Sequence, residues 1–394
     1  MSKFIVLTIP KAKSQYNAFP QFNNFYLEGF RQLGGEIRHL HSNLTLSAED
    51  LNRAFLFYFG YANNGILWDI YRSAPLLPII NHLIDHPFDV FIPNPELGDY
   101  VPSYFPIAFD PTWIDFIGRN RKRPHDPPYA AAYQPMAGFI HPKVTPLQPA
   151  SRRKIKILFA GSAVDPEALR QKWRTESSAF TKVIEEIIEH VRPNPSIQLD
   201  LFLENMLNPD CVQDSPCIST IFCYVNEYIR AYHRLELLRT LAKFPLTVYT
   251  NQPNLLGQLV GKNSFKIRSP VDFSELLRAM SQAKMVLNCR PNTQGMTERV
   301  PSTLMSGAVS INDTNSYLQQ EFIDGQTAIF YDYRKLEELP DKISHLLEHP
   351  DALDNIAMAG QNYAQQHHTV LDRVQKILKG IEEFRSMLIA AHQR

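Results

Sequence analysis

The sequence has no excess charge of either sign: over 394 residues, 40 Lys and Arg balance 40 Asp and Glu. Binding along DNA or RNA draws its affinity from basic side chains that displace counterions, so nucleic acid is excluded as a main partner. Cysteine is scarce. Cys211, Cys217, Cys223 and Cys289 form no Cys-x-x-Cys pair and no His residues bracket them at zinc-ligand spacing, which leaves them as reduced thiols rather than a metal site. Long apolar runs are also missing, and no stretch approaches the roughly 20 residues needed to cross a bilayer. The apolar run at the start, Phe4 to Ile9, stops at Pro10. That is the length of a buried strand and too short for the apolar core of a signal peptide. A cytoplasmic protein with at most peripheral membrane contact is expected.

What is present is an ordinary globular composition, 44% hydrophobic and 20% charged, long enough for about two or three domains. Short β-rich runs alternate with helical patterns. In the first part these are FIVLTI (4–9), a helix-like FNNFYLEGFRQLG, EIRHL (36–40) and DVFIPN (89–94). In the second they are KIKILFAG (154–161), IQLDLFL (197–203), LTVYTN (246–251), FKIRS (265–269), KMVLNC (284–289), AVSIN (308–312) and AIFYD (328–332). A helix with Ser274 as N-cap is expected over 274–283. Alternation of this kind marks βα units and parallel sheets covered on both faces. The segment 141–154 holds Pro142, Pro146 and Pro149, which neither continue a helix nor sit in a central strand. We expect an N-terminal domain over 1–145, a C-terminal domain over 151–365 and a terminal helix over 366–394 packing across the two. Two doubly wound domains of this kind face each other across a cleft and bind ligands at the carboxyl ends of their strands. The pattern admits both a cleft enzyme and a two-domain binding protein.

The most informative stretch is KMVLNCRPNTQGMTERVPSTLMSGAVSIND, 284–313. A buried strand enters a polar loop from Arg290 to Gly295, a helix begins near Thr297 and ends at Ser306 and Gly307, and a second strand follows. Helix N-termini present unpaired N–H groups that suit phosphates, and Pro301 is tolerated in the first turn. On chemistry alone, Glu298 and Arg299 read equally well as a dipole-complementing acid and a surface cation.

This stretch resembles the C-terminal domain of the CgeB-like (spore maturation protein B-like) glycosyltransferases of the GT-B fold. The likeness continues through YLQQEFIDGQTAIFYD, LEELPDKISHLLEHPDALDNIAMAG and QQHHTVLDR, with His368, Thr369 and Arg373, and reaches back to ILFAGS at 157–162. The resemblance implies an α/β chain of two Rossmann-like domains, with a nucleoside diphosphate sugar as donor substrate, no other cofactor, and a glycan, lipid-linked or protein acceptor. It places Gly161 and Ser162 near the phosphates, Asn288, Arg290 and Gly295 along the donor pocket, and Thr297, Glu298, Arg299, Ser302 and Thr303 where the helix meets diphosphate and ribose. Arg299 would neutralise the leaving diphosphate.

One departure stands out. Many retaining GT-B enzymes carry two Glu residues seven positions apart, and the corresponding positions here are Gln294 and Ser302. A ribose gripped by a carboxylate is therefore not expected. No Asp-x-Asp occurs, so metal-independent transfer is expected. An inverting transfer would also need a base. Glu96 and Asp99, in the loop after DVFIPN, are the first candidates, followed by Asp110, Asp115, His125 and Asp126. Asn17, Asn23 and Asn24 are candidate acceptor contacts or turn residues. The basic run Arg119 to His125 is a solvated loop or a dock for an anionic acceptor. The aromatic segment 55–71 reads as core. The enzyme expected is a hexosyltransferase; the alternatives are a non-catalytic sugar-nucleotide or protein-binding module, and an epimerase or phosphorylase of the same architecture.

Overall fold

The computed structural model describes residues 3–9, 18–40, 46–60, 64–87, 103–119, 131–144, 147–207 and 216–393. It divides into two compact units, residues 1–137 with 368–394, and residues 138–367. Each unit is built on one six-stranded parallel sheet.

In the first unit the strands are β1 (Phe4–Thr8), β2 (Gly35–His39), β3 (Ala54–Phe59), β4 (Ile79–Leu83), β5 (Tyr104–Ala108) and β6 (Ala132–Tyr133), in the order β2-β1-β3-β4-β5-β6. The expected runs at 4–9 and 36–40 form the neighbouring strands β1 and β2, while DVFIPN lies outside the described residues. The aromatic segment holds both the fully buried strand β3, AFLFYF, and part of the helix Asn64–Ser73. Its rings do pack as core: Phe57 and Phe59 meet Tyr26 at 5.7 and 4.9 Å between ring centroids. Strand β5 contains Pro106, a residue that normally argues against an interior strand. It is accommodated because β6 pairs only with Ile107 and Ala108. The C-terminal helix, Val370–His392, is capped by the Thr369 hydroxyl, which accepts from the Asp372 N–H at 3.1 Å. Within this unit Phe384 packs on Phe105, and Arg373 donates to the Pro135 carbonyl at 2.8 Å.

In the second unit the strands are β7 (Ile155–Ala160), β8 (Leu246–Tyr249), β9 (Lys266–Arg268), β10 (Ala283–Leu287), β11 (Val309–Asp313) and β12 (Ile329–Tyr331), in the order β12-β11-β10-β7-β8-β9. The chain builds outward from β7 on one side, then returns to place β10 against the other flank of β7. The topological switch point therefore lies between β7 and β10, where open α/β sheets take ligands at their carboxyl ends.

Two expectations are corrected here. IQLDLFL is not a strand but the start of the helix Leu199–Met206. Leu199 and Leu203 are buried one helical turn apart while Leu201 is exposed, so the apolar spacing is helical rather than alternating. The helix expected from Ser274 is Phe273–Ser281, capped by Asp272, whose carboxylate accepts from the Glu275 N–H at 2.8 Å. The short helix Arg299–Met305 ends as the sequence indicates: Gly307 takes φ 67° and its N–H bonds back to Leu304, a left-handed stop that glycine adopts without strain.

Candidate functional site

Strand β7 delivers the turn Gly161–Ala163 at the switch point. Gly161 bonds back to the Tyr249 carbonyl, and the Ala163 N–H donates to the Asn251 side chain at 3.0 Å. A Cβ on Gly161 would lie 2.9 Å from the Phe159 ring and 3.3 Å from the guanidinium carbon of Arg234, so the backbone here runs directly against two side chains. Two arginines from separate elements hold the turn. Arg299, the first residue of its short helix, donates to the Ala160 carbonyl at 2.8 Å. Arg234, from the helix Pro216–Thr240, donates to the Ser162 carbonyl at 2.7 Å.

On the other side of the switch point, β10 delivers Asn288, Cys289 and Arg290. The Asn288 amide donates to Ser310 and Asn312, at 3.0 and 2.8 Å, and its carbonyl accepts from the Tyr331 hydroxyl at 2.7 Å. The Arg290 N–H donates to the buried Asp313 carboxylate at 3.0 Å. Burial pushes the Asp313 carboxyl up to about 6, against the opposing pull of the Arg290 N–H, its own N–H and the Arg290 charge. Burial also raises the Cys289 thiol and holds the Tyr331 and Tyr333 phenols well above the ordinary tyrosine range. Beside them His233, with its ring centroid 4.5 Å from that of Tyr333, is pushed down to about 4 by burial and stays neutral. The result is a close set of titratable groups kept uncharged at neutral pH around one costly carboxylate.

The structure brings Gly161, Ser162 and Arg299 together at the end of β7. Asn288 and Arg290 stand across the switch point, with Asn288 buried in its amide network. Thr297 and Glu298 are half-buried at the helix start, and the Glu298 side chain makes no capping bond. Ser302 and Thr303 are fully buried; the Ser302 hydroxyl accepts from the Phe139 N–H at 2.9 Å. The Gly295 carbonyl accepts from Asn315, and Gln294 bridges the Ser196 carbonyl to Ser316. Glu96, Asp99, His125, Asp126 and Asn17 lie outside the described residues, as does the basic run beyond Arg119. Asp110 caps a helix through the Thr112 N–H and hydroxyl, Asp115 lies within that helix, and Asn23 donates to the Thr8 hydroxyl. Arg234, Asn251, His233 and Asp313 were not singled out from sequence. Each owes its place to partners far along the chain, and no local motif announces it.

Among the described residues no group of three or more His, Cys, Asp or Glu is placed to hold a metal ion, and no helix is long and apolar enough to cross a membrane.

Residues 232–379 match a family model described as glycosyl transferase-like. No curated protein matches by sequence. Among solved structures, the chain is similar to a glycosyltransferase from Rickettsia africae ESF-5, at 9% identity over 98% of this chain and 99% of that one, with a TM-score of 0.53. It is similar to the sucrose-phosphate synthase of Thermosynechococcus elongatus, at 9% identity over 96% and 99%, with a TM-score of 0.55. It is also similar to Anabaena Alr3699/HepE, solved in complex with UDP and glucose, at 11% identity over 96% and 100%, with a TM-score of 0.53. At such identities these structures speak to the fold, which is that of the GT-B glycosyltransferases. The family match falls on the segment that contains Arg234, Arg290, Arg299 and Asp313. Fold and family match agree on the enzyme class, a glycosyltransferase of the GT-B type.

Proposed function

We propose that the protein is a CgeB-like transferase that moves a hexose-type unit from a nucleoside diphosphate sugar to a glycan, lipid-linked or protein acceptor without a metal ion. The observation that carries this reading is the guanidinium of Arg299, fixed by the Ala160 carbonyl at the switch point of the second sheet. As the bond between the sugar and the diphosphate breaks, negative charge grows on the departing phosphate. A cation already held in place stabilises that charge without reorganising, and arginine's forked donors suit phosphate oxygens. Beside it, Gly161 lets the backbone run against the Phe159 ring and the Arg234 guanidinium. The absence of an Asp-x-Asp pair from the sequence favours this protein-borne cation over a metal clamp. UDP is the first nucleotide to try, because the similar Anabaena structure is described with UDP and glucose.

The test is a thermal-shift screen against UDP, GDP, dTDP, CMP and their sugar conjugates, followed by release of nucleoside diphosphate with and without acceptor extract. A nucleotide at 100 times its dissociation constant stabilises the folded state by about 2.7 kcal/mol. Arg299→Ala is expected to lower turnover by about 10²–10³-fold with far less effect on folding, and activity is expected to survive a chelator. Unchanged turnover in the variant removes Arg299 from the chemistry. A chain that no nucleotide stabilises rules out the donor reading.

A further inference from the structure

Among the described residues Arg234 is a cation without a counter-charge. Its Nη1 donates to the Ser162 carbonyl at 2.7 Å, its Nε is buried with no hydrogen-bond partner, and its guanidinium carbon lies 6.0 Å from the centroid of the Phe159 ring. No carboxylate among the described residues lies within ion-pair distance of it. Other arginines of this unit are neutralised: Arg239, five residues further along the same helix, pairs with Glu236 at 3.0 Å, and Arg192 pairs with Glu189 at 2.9 Å. The nearby titratable group Cys289 carries a raised thiol and so supplies no negative charge at neutral pH. Taking a guanidinium partly out of water without an anion is costly unless something in the working protein compensates it.

We infer that Arg234 is a second cation of the diphosphate subsite, and that the ligand's diphosphate is its missing counter-charge. This rests on the donor reading given above. Two arginines from different elements hold the carbonyls of Ala160 and Ser162, two residues apart in one turn. The Arg234 charge, uncompensated by any carboxylate among the described residues and with its Nε buried without an acceptor, is what a diphosphate at this loop would meet. Cleavage leaves the diphosphate with one more negative charge than the intact donor carries, so a second fixed guanidinium favours the departing state over the bound one. No covalent step passes through Arg234.

A purely structural role, tying the helix to the Ser162 carbonyl, makes the opposite prediction for stability. The experiment compares Arg234→Met, which keeps an apolar stem and removes the charge, with Arg234→Gln, which keeps an N–H donor for the Ser162 carbonyl. UDP, uridine and inorganic pyrophosphate are the probes, read by calorimetry and thermal shift. We expect both ligand-free variants to melt at or above the wild-type temperature. We expect the dissociation constants for UDP and pyrophosphate to rise about 10- to 100-fold in both variants, and that for uridine to stay unchanged. Wild-type affinity for UDP and pyrophosphate in Arg234→Gln overturns the inference and leaves the donor reading standing, as does a lowered melting temperature with intact affinity in Arg234→Met. Pyrophosphate binding that depends on Arg234, in a wild-type protein that no nucleotide stabilises, supports the anion site and refutes the donor reading. Absence of binding by both UDP and pyrophosphate overturns both.

Discussion

Replacing Asp313 with Asn should make the protein more stable at neutral pH, and the size of the gain follows from the burial of one carboxylate. In the fold the Asp313 carboxyl titrates at about 6, whereas its ordinary value is 3.8. Each pH unit between the two is worth about 1.4 kcal/mol, so ionisation costs the folded protein about 3 kcal/mol. Below pH 4 the group is protonated in both states and costs nothing. As pH rises from 4 to 6 the unfolded chain ionises first, and the folded state loses stability progressively until its own carboxyl has ionised; above that the penalty is constant. An Asn at this position cannot ionise, and its side-chain oxygen can still accept the Arg290 N–H that now bonds to Asp313 at 3.0 Å.

The assay is urea unfolding of wild type and Asp313→Asn at half-unit steps from pH 4 to 7.5. The difference between the two curves isolates Asp313, because the other titrating groups, His86 and His233 among them, appear in both and cancel. The variant should gain about 3 kcal/mol relative to wild type across this window, most of it between pH 4 and 6. A difference curve that is flat with pH would show that the carboxylate is solvated or paired in solution, and would refute the account of its burial.

The first unit should show the reverse pH dependence at His86, which is buried against Trp113 and Phe116 and pushed down to about 3 by burial, with the Arg119 charge adding to the effect. Its contribution is complete above pH 6.5 and is lost as pH falls toward 3, so His86→Phe should remove up to about 5 kcal/mol of acid destabilisation, seen as a flatter acid limb in circular dichroism melts; an unchanged limb would show that another group drives acid unfolding. Ser302→Ala leaves the Phe139 N–H without its acceptor and should cost about 1–3 kcal/mol of stability with nucleotide affinity unchanged. Lost affinity at full stability would instead make Ser302 a ligand contact.

What could be read from the sequence was what depends on neighbours in the chain. Strands β1, β7, β10, β11 and β12 are short apolar runs closed by turn residues, and a parallel strand covered on both faces needs little else to declare itself. The stop at Gly307 was equally visible, because a left-handed residue after a helix is a local demand. IQLDLFL misled because Leu199, Leu201 and Leu203 fit an alternating strand, and only tertiary burial of Leu199 and Leu203 selects the helix. Strand β5 was hidden by Pro106, whose tolerance depends on how far β6 extends. Arg234 was hidden by distance: its partner Ser162 is 72 residues away, and nothing in YIRAYHRLELLRTL separates it from its neighbours.

Gln294 and Ser302 are where the chain departs from the pair of acids that the resemblance leads one to expect. These are the positions where many retaining GT-B enzymes carry carboxylates. Here Gln294 joins Ser196 to Ser316, and the Ser302 hydroxyl receives the Phe139 N–H. Both side chains are engaged with the protein's own polypeptide, so neither is placed to grip a ribose as a free carboxylate does. On the donor reading, recognition then shifts toward groups that carry charge at the turn after β7, Arg299 and Arg234. A guanidinium tethered to a carbonyl keeps its direction before the ligand arrives, and pre-set direction is what makes a cation effective on a developing phosphate charge. On the donor reading, the departure from the expected pair of acids leaves a site that reads the diphosphate more strongly than the ribose, and uridine and pyrophosphate as separate probes test that.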